Sequence, residues 1–327
     1  MDSSTFIEGQ AFGGPDVLSV GTTIVTSPQP GEVLIEQVAI GVNFIDVLLR
    51  RGELSKQTPY RLGLEASGHV VAVGEGVADL AVGDRVVYAG GPPGAYATRR
   101  CVPASRVVRV PEAVELIDAA AMFFKALTAD YLVTRLRKLE PGEPVLVHAA
   151  TGGVGSIIVP LLKAAGVIVI GVVGRESKRD MAVALGCDHV LVRSATSDLS
   201  DEVRSLTGGA GVSVAYDSIG RDTFDASMGS LRRFGLLVSY GWASGDVDPI
   251  SLSKLRDSGS LFVTRPTVSH YTDRRDDLLA GAKRVFTAIN GGILKPQIGM
   301  KLPLAQVVQA HNQMEQRQTQ GSVVLLT

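Results

Sequence analysis

The sequence predicts an α/β protein of two domains, a doubly wound parallel sheet joined to a smaller, curled β domain. Three observations carry the prediction. At 327 residues the chain exceeds the size at which a single hydrophobic core stops growing. Up to about residue 110 it reads as strands rich in Val and Ile, punctuated by Gly and Asp turn signals. From about residue 145 continuous apolar runs alternate with helical spacings, the pattern of parallel strands buried on both faces.

Taken in order, GEVLIEQVAIGVN and HVVAVGEGVADLAVGDRVVYAG are the strands of the β domain, with tight turns at Gly74, Gly76, Gly83 and Asp84. IDAAAMFFKALTADYLVTRLRKL has helical spacing and stops at Pro141-Gly142. VLVHA (145–149) is a strand followed by a helix to about residue 165. VIVIGVV (167–173) precedes the helix ESKRDMAVALG, and HVLV (189–192) precedes DLSDEVRSLTGG. VSVAYDS (212–218) precedes the helix RDTFDASMGSLRR. GLLVSYG (235–241) leads through a loop and a short helix to the strand SLFVTRP (260–266). Right-handed crossovers then favour a Rossmann arrangement. The tail holds a helix around 276–290, the helix LAQVVQAHNQMEQR and the strand SVVLL.

A net charge of −1 creates no global field toward nucleic acid, an anionic membrane or a polyanion, so an anion site must be local. The N-terminus MDSSTFIEGQ lacks the basic and apolar regions of a secretory signal. The longest apolar runs fall far short of the roughly 20 residues that span a bilayer. Cys101 and Cys187 stand far apart and indicate neither a Cys-rich zinc site nor a disulfide framework. A reduced, cytoplasmic protein is the expectation.

The stretch HAATGGVG (148–155) follows a strand and opens a helix within a βαβ unit, the context that gives a glycine pattern meaning. A helix N-terminus attracts phosphate, and glycine lets a diphosphate approach the backbone. Gly152, Gly153, Val154 and Gly155 therefore form the predicted diphosphate floor. An NAD site places an acid at the end of the second strand to hold the ribose 2′-OH. Here that strand ends VVGRESKRD, where Gly174, Arg175 and Lys178 predict a pocket for a 2′-phosphate, and hence NADPH. Glu176 stands against this unless it serves the helix N-terminus.

With these features the chain resembles the medium-chain dehydrogenase/reductase superfamily over essentially its whole length, and within it the zinc-free quinone oxidoreductases, the group that includes zeta-crystallin. The matching segments are VNFIDVLLRRG, GLEASG, GDRVVYA, FFKALTADYL, HAATGGVG, YDSIGRDT, LFVTRP and QTQGSVVLL. The resemblance implies a GroES-like catalytic domain of residues 1–122 and 267–327 and a Rossmann dinucleotide-binding domain of residues 123–266. Zinc enzymes of the superfamily carry a Cys in the segment matching VNFID and the His of a G-H-E motif. This chain has Asn43 to Asp46 without Cys, and Leu64 in Gly63-Leu64-Glu65, and leucine cannot ligate zinc. His69 reads as structural. Without a zinc alkoxide the expected acceptor is already electrophilic, with a proton taken from water.

Roles carried over from the family follow. Asn43 and Asp46 are the catalytic candidates, and Asn43 also reaches the nicotinamide. Lys125 and Thr128 share a helical face toward the nicotinamide ribose or phosphate, and Tyr131 lies on the same face with a core role as the alternative. Arg193 follows the third strand, where stacking on adenine, pairing with a phosphate and simple solvation are all open readings. Ser218 and the triplet Gly241, Trp242 and Ala243 fall at carboxyl ends of strands. Thr264, Arg265 and Arg317 match positions that reach the nicotinamide half and the phosphates. Turn stabilisation is an equal reading for Asp46, and structural ion pairing for Arg265 and Arg317. Relatives associated with quinone reduction carry tyrosines where this chain has Leu48 and Leu54, so no general acid can be named. The expected activity is NADPH-dependent reduction of a small-molecule quinone by a homodimer. Reduction of activated C=C bonds in enones or alkenals remains open, as does a non-catalytic NADPH-binding protein of the crystallin or RNA-binding type. The absence of aromatic–basic clusters argues against RNA.

Overall fold

In the computed structural model, which describes residues 3–54, 57–193, 198–316 and 321–327, β1 (Ser3–Gly9) pairs antiparallel with β2 (Leu18–Ile24). The long strand β3 (Glu32–Val42) leads into the short helix α1 (Phe44–Arg50). Strands β4 (Tyr60–Arg61), β5 (Glu65–Val73), β6 (Arg85–Ala89), β7 (Arg99–Pro103) and β8 (Val107–Arg109) follow, then helix α2 (Leu116–Thr134).

The alternating part comprises β9 (Pro144–His148), α3 (Gly155–Ala164), β10 (Ile168–Val173), α4 (Arg179–Leu185), β11 (His189–Val192) and α5 (Leu199–Leu206). It continues through β12 (Val212–Asp217), α6 (Phe224–Gly229), β13 (Leu231–Ser239), α7 (Leu252–Asp257), β14 (Phe262–Thr264) and α8 (Val268–Tyr271). The chain ends with α9 (Arg275–Asn290), β15 (Ile298–Pro303), α10 (Val307–Glu315) and β16 (Ser322–Leu326). Among the described residues no helix is long and apolar enough to cross a membrane.

Two compact units result, Met1–Leu127 with Thr272–Thr327, and Thr128–Tyr271. In the first, a seven-stranded sheet runs β15-β16-β3-β5-β6-β8 with β7 on β3. The C-terminal strand completes it, Val323 facing Val42 and Leu325 facing Ile40. Val33, Ile35, Ile40, Val42, Val86 and Leu325 fill its core, as expected where alternate residues of a strand face one side.

In the second unit all strand pairs are parallel, in the order β11-β10-β9-β12-β13-β14. This is the doubly wound order, with its topological switch point between β9 and β12. Ligand-binding crevices in such sheets open at the carboxyl ends of the strands beside that point. Those ends are His148 and Asp217.

Two helical expectations are corrected. The helix expected over 221–233 stops at Gly229, because Ser230 Oγ turns back to the Ala226 carbonyl (2.7 Å) and Leu231 enters register with Val212. Phe234 then adopts φ +60° and the register shifts, so Arg232 and Arg233 lie in strand β13 rather than helix. Helix α2 likewise ends at Thr134, short of Leu139. Thr134 Oγ1 bonds the Asp130 carbonyl (2.7 Å), and Arg137 is drawn to the Phe234 carbonyl (3.0 Å).

Candidate active site

In the Rossmann unit the glycine loop is held by its own backbone. Ala149 takes φ +49°, a left-handed conformation unusual for a residue with a side chain, and the Gly152 N–H bonds its carbonyl at 2.7 Å. A Cβ on Gly155 would sit 2.2 Å from that carbonyl oxygen, so only glycine lets α3 begin there. Val154 precedes α3 with no side-chain cap, leaving the helix end to whatever anion approaches.

At the end of β10, Gly174 and Arg175 are exposed and Lys178 is half-buried. A Cβ on Gly174 would meet nothing within 4 Å. Glu176 does not occupy this pocket: it pairs with Arg179, whose Nη1 also donates to the Val190 carbonyl at 2.7 Å. Arg179 is thus committed to Glu176 and the Val190 carbonyl, and Arg175 stands exposed at this turn. Arg193 follows β11, its N–H on the Val173 carbonyl at 2.9 Å, and its Nη1 is buried without a hydrogen-bond partner.

Beneath the loop, a buried network that sequence reasoning missed joins β9, β12 and α6. Asp217 Oδ1 accepts the N–H groups of Ile219 (2.8 Å) and Gly220 (3.2 Å) and the Thr223 hydroxyl (2.9 Å). Its Oδ2 accepts from Thr223 (2.8 Å) and Ser227 (2.7 Å). Ser227 Oγ lies 2.9 Å from His148 Nε2, and since its hydrogen goes to Asp217 it accepts from the imidazole. Burial lowers the His148 pKa, against the pull of Asp217, which keeps the ring neutral. An acid closing the apolar run VSVAYD was the available signal.

Around this frame, Gly241 approaches Ser218 so closely that a Cβ would lie 2.6 Å from the Ser218 carbonyl oxygen. The Ala243 N–H bonds that same oxygen at 3.3 Å. Arg265 stacks over Trp242, 4.5 Å from the ring centroid, and pairs with Asp246 at 2.9 Å. Thr264 ends β14. Thr128 is buried on α2, and Tyr131 stacks on Tyr271 with centroids 4.3 Å apart. Arg317 lies outside the described residues.

In the first unit the structure brings together Asn43, Asp46 and Lys125, and adds Glu65, which sequence reasoning noted only as the partner of a missing histidine. All four are buried. Glu65 Oε2 accepts the Asn43 side-chain N–H (3.0 Å) and lies 3.9 Å from Lys125 Nζ, while Oε1 accepts the Phe124 N–H. The carboxylate needs Gly41 beside it, where a Cβ would come within 2.3 Å of Oε2. Burial raises the Glu65 pKa and lowers that of Lys125, each resisted by the other's charge.

Asp46, in the first turn of α1, accepts the Asn43 backbone N–H (2.8 Å) and the Tyr96 hydroxyl (3.0 Å), both on Oδ2. Its Oδ1 is buried with no partner. Burial pushes its pKa from 3.8 to about 7, against the Asn43 and Tyr96 hydrogen bonds and the Lys125 charge, with Glu65 adding to the rise. Tyr96 and His311, distant in sequence, carried no signal there.

Comparison with known proteins follows the same division. The alcohol dehydrogenase GroES-like domain family matches residues 29–112, and the zinc-binding dehydrogenase family matches residues 153–275. A 2-haloacrylate reductase from a Burkholderia species is 42% identical over 321 residues, 96% of each chain. Quinone oxidoreductase 1 of Escherichia coli is 39% identical over 326 residues, 99% of each chain. The crystal structure of Escherichia coli quinone oxidoreductase complexed with NADPH superposes with a TM-score of 0.95, over 99% of this chain and 100% of that one. The chain belongs to the quinone oxidoreductase family of the medium-chain dehydrogenases/reductases.

As a quinone oxidoreductase family member it retains the fold of a zinc enzyme with a different donor set. Leu64 is buried at the position where zinc relatives place histidine. Among the described residues no three His, Cys, Asp or Glu side chains are grouped to hold a metal ion.

Proposed function

We propose that this chain is an NADPH-dependent reductase that delivers hydride to quinones without a metal ion. The observation that carries the reading is the end of β10: no acid stands ready for a 2′-OH, Glu176 is paired with Arg179, and Arg175 and Lys178 flank an open Gly174. The loop residues Gly152, Gly153, Val154 and Gly155 fit a diphosphate, and the unpartnered, buried Arg193 Nη1 fits an anion or adenine acceptor on the same sheet edge. Ser218, Gly241, Trp242, Ala243, Thr264 and Arg265 would line the path toward the nicotinamide, with Lys125, Thr128, Tyr131 and Arg317 serving its ribose and phosphates.

Bound NADPH supplies the hydride. The protein's own residues bind and orient. Asn43, its side-chain N–H held by Glu65, has its amide oxygen fixed in direction, and Asp46 holds the Asn43 backbone N–H in turn. A quinone or conjugated enone needs no Lewis acid to accept hydride, which suits a site with Leu64 in the zinc-ligand position.

Reduction of activated C=C bonds is a second reading, favoured by two observations. The relative that is 42% identical is a 2-haloacrylate reductase. Leu48 is buried on α1, where a tyrosine would give a phenol to recognise a quinone oxygen. Steady-state oxidation of NADPH with 1,4-benzoquinone and 9,10-phenanthrenequinone, against a panel of enones and 2-haloacrylates, decides between them. Faster turnover of the quinones is expected; a preference for the alkenes by orders of magnitude would overturn the first reading.

The same reading includes a homodimer in the cytoplasm. Its support is the sheet edge at β14, where Phe262 is 62% exposed beside unpaired strand groups, with Leu252 at 83%.

A further inference from the structure

We propose that Arg179 sets the cofactor preference by holding Glu176 away from the ribose site, so that the chain carries an NADH-type acid in a locked position. Arg179 is a positioning residue that acts through Glu176. The proposal rests on the NADPH reading above and names the device behind it, and all of its parts lie in the Rossmann unit.

The turn after β10 contains the kind of acid that an NAD site uses. Glu176 stands three residues beyond Val173, on the same turn as Gly174 and Arg175. It follows the glycine loop by about twenty residues, the usual interval to a ribose-binding acid. A carboxylate released there has two opposite effects. It accepts a hydrogen bond from a ribose 2′-OH, which favours NADH. It repels a 2′-phosphate, whose charge is about −1.5 to −2 near pH 7.

The geometry shows what prevents its release. Arg179 opens α4 and turns back on Glu176 as a fork, Nε donating to Oε1 and Nη2 to Oε2 at 3.3 Å. Both carboxylate oxygens are therefore occupied. The guanidinium is anchored in turn, because Nη1 donates to the Val190 carbonyl of β11 at 2.7 Å. Strand β11 is fixed on β10 by parallel pairing, Gly171 with Val190 and Val173 with Val192. These contacts tie the acid to the neighbouring strand. The Arg179 hydrogen bonds hold the Glu176 carboxyl below its ordinary value, so it is charged near neutrality and remains paired. A cation in the first turn of a helix opposes the dipole, and the pair with Glu176 offsets that cost.

A second observation marks the same edge as a place for an anion. The Arg193 N–H bonds the Val173 carbonyl at 2.9 Å, which puts this residue beside the turn. Its Nη1 is enclosed and, among the described residues, has no hydrogen-bond partner. A guanidinium only donates, so an enclosed N–H of this kind calls for an acceptor from a ligand. A free carboxylate at position 176 would compete for that cation and for Arg175. The clamp leaves both to a phosphate.

The test is titration calorimetry of the full-length protein with NADPH and with NADH. Wild type is expected to prefer NADPH. Arg179→Ala should weaken NADPH about tenfold and tighten NADH about threefold, because the freed acid repels the phosphate and accepts from the hydroxyl. Arg179→Gln, which keeps a donor for the Val190 carbonyl, should shift both affinities in the same directions. Adding Glu176→Gln to Arg179→Ala should restore NADPH to within about threefold of wild type and cancel the gain in NADH. A merely structural loss at Arg179 would not be recovered by changing Glu176, and exposed ion pairs contribute little to folding. Equal losses of both cofactors in Arg179→Ala, or an NADPH loss that Glu176→Gln does not recover, would overturn the proposal. A wild type that binds NADH as tightly as NADPH counts against the cofactor reading, and against the clamp with it. A wild type that prefers NADPH, with an unshifted Arg179→Ala, counts against the clamp alone.

Discussion

The two units each bury an aspartate beside a histidine-containing network, and the two aspartates are treated in opposite ways. Asp217 accepts from four donors spread over its two oxygens, the Thr223 hydroxyl lying within reach of both, so its charge is compensated at the topological switch point of the sheet. Asp46 receives two, both on Oδ2, and its other oxygen is buried bare. Burying a carboxylate is tolerated when hydrogen bonds replace water, and otherwise the group takes up a proton. Asp217 therefore stabilises a loop, joining the residues after β12 to α6 and, through Ser227, to His148 under the glycine turn. Asp46 is left under-compensated, and its burial favours the protonated form.

The contrast predicts opposite consequences for the same substitution. Asp217→Asn removes an acceptor that serves two backbone N–H groups and two hydroxyls, and should cost about 3 kcal/mol of unfolding free energy, measured by urea denaturation at pH 7. Equal stability to wild type would mean that this network is not what holds the loop.

The comparison sharpens when cofactor and acceptor are separated. Arg175→Ala combined with Lys178→Ala, in the Rossmann unit, should weaken NADPH about 30-fold and NADH far less, by titration calorimetry. Equal losses would sink the 2′-phosphate assignment. In the other unit, Leu48→Tyr should leave NADPH affinity alone and raise the ratio of quinone to enone turnover by about threefold, the smallest of these effects. No change in the ratio would show that position 48 does not meet the acceptor.

Much of the fold was legible because it is local. β11 and β16 occupy the residues their apolar runs pick out, His189–Val192 and Ser322–Leu326. The glycine loop was legible because its chemistry lies within eight residues and its strand and helix context is adjacent. The boundary between α6 and β13 was not, since Arg232 and Arg233 continue a helical spacing until the pairing of Leu231 with Val212 overrides it. The acid cluster was half legible. Asn43 and Asp46 stood in a recognisable segment, but Tyr96 is 50 residues from Asp46 and 215 from His311, a separation only the folded chain closes. Glu65 was visible as a residue and not as a partner, because nothing in GLEASG announces that a lysine on α2 will face it.

The central claim is that Asp46 is held in a place that favours its neutral form, and its linkage to folding tests this most directly. With a folded pKa of about 7 against an ordinary value of 3.8, the folded protein holds more protons than the unfolded chain between those values. Stability from this group is fully present below about pH 4 and is lost as pH rises to 7. Asp46→Asn escapes that loss. Unfolding free energies of wild type and Asp46→Asn, measured by urea denaturation at pH 5 and pH 8, should therefore diverge, with the variant gaining about 2–3 kcal/mol relative to wild type over that interval. A difference between the two proteins that is the same at both pH values would contradict the account.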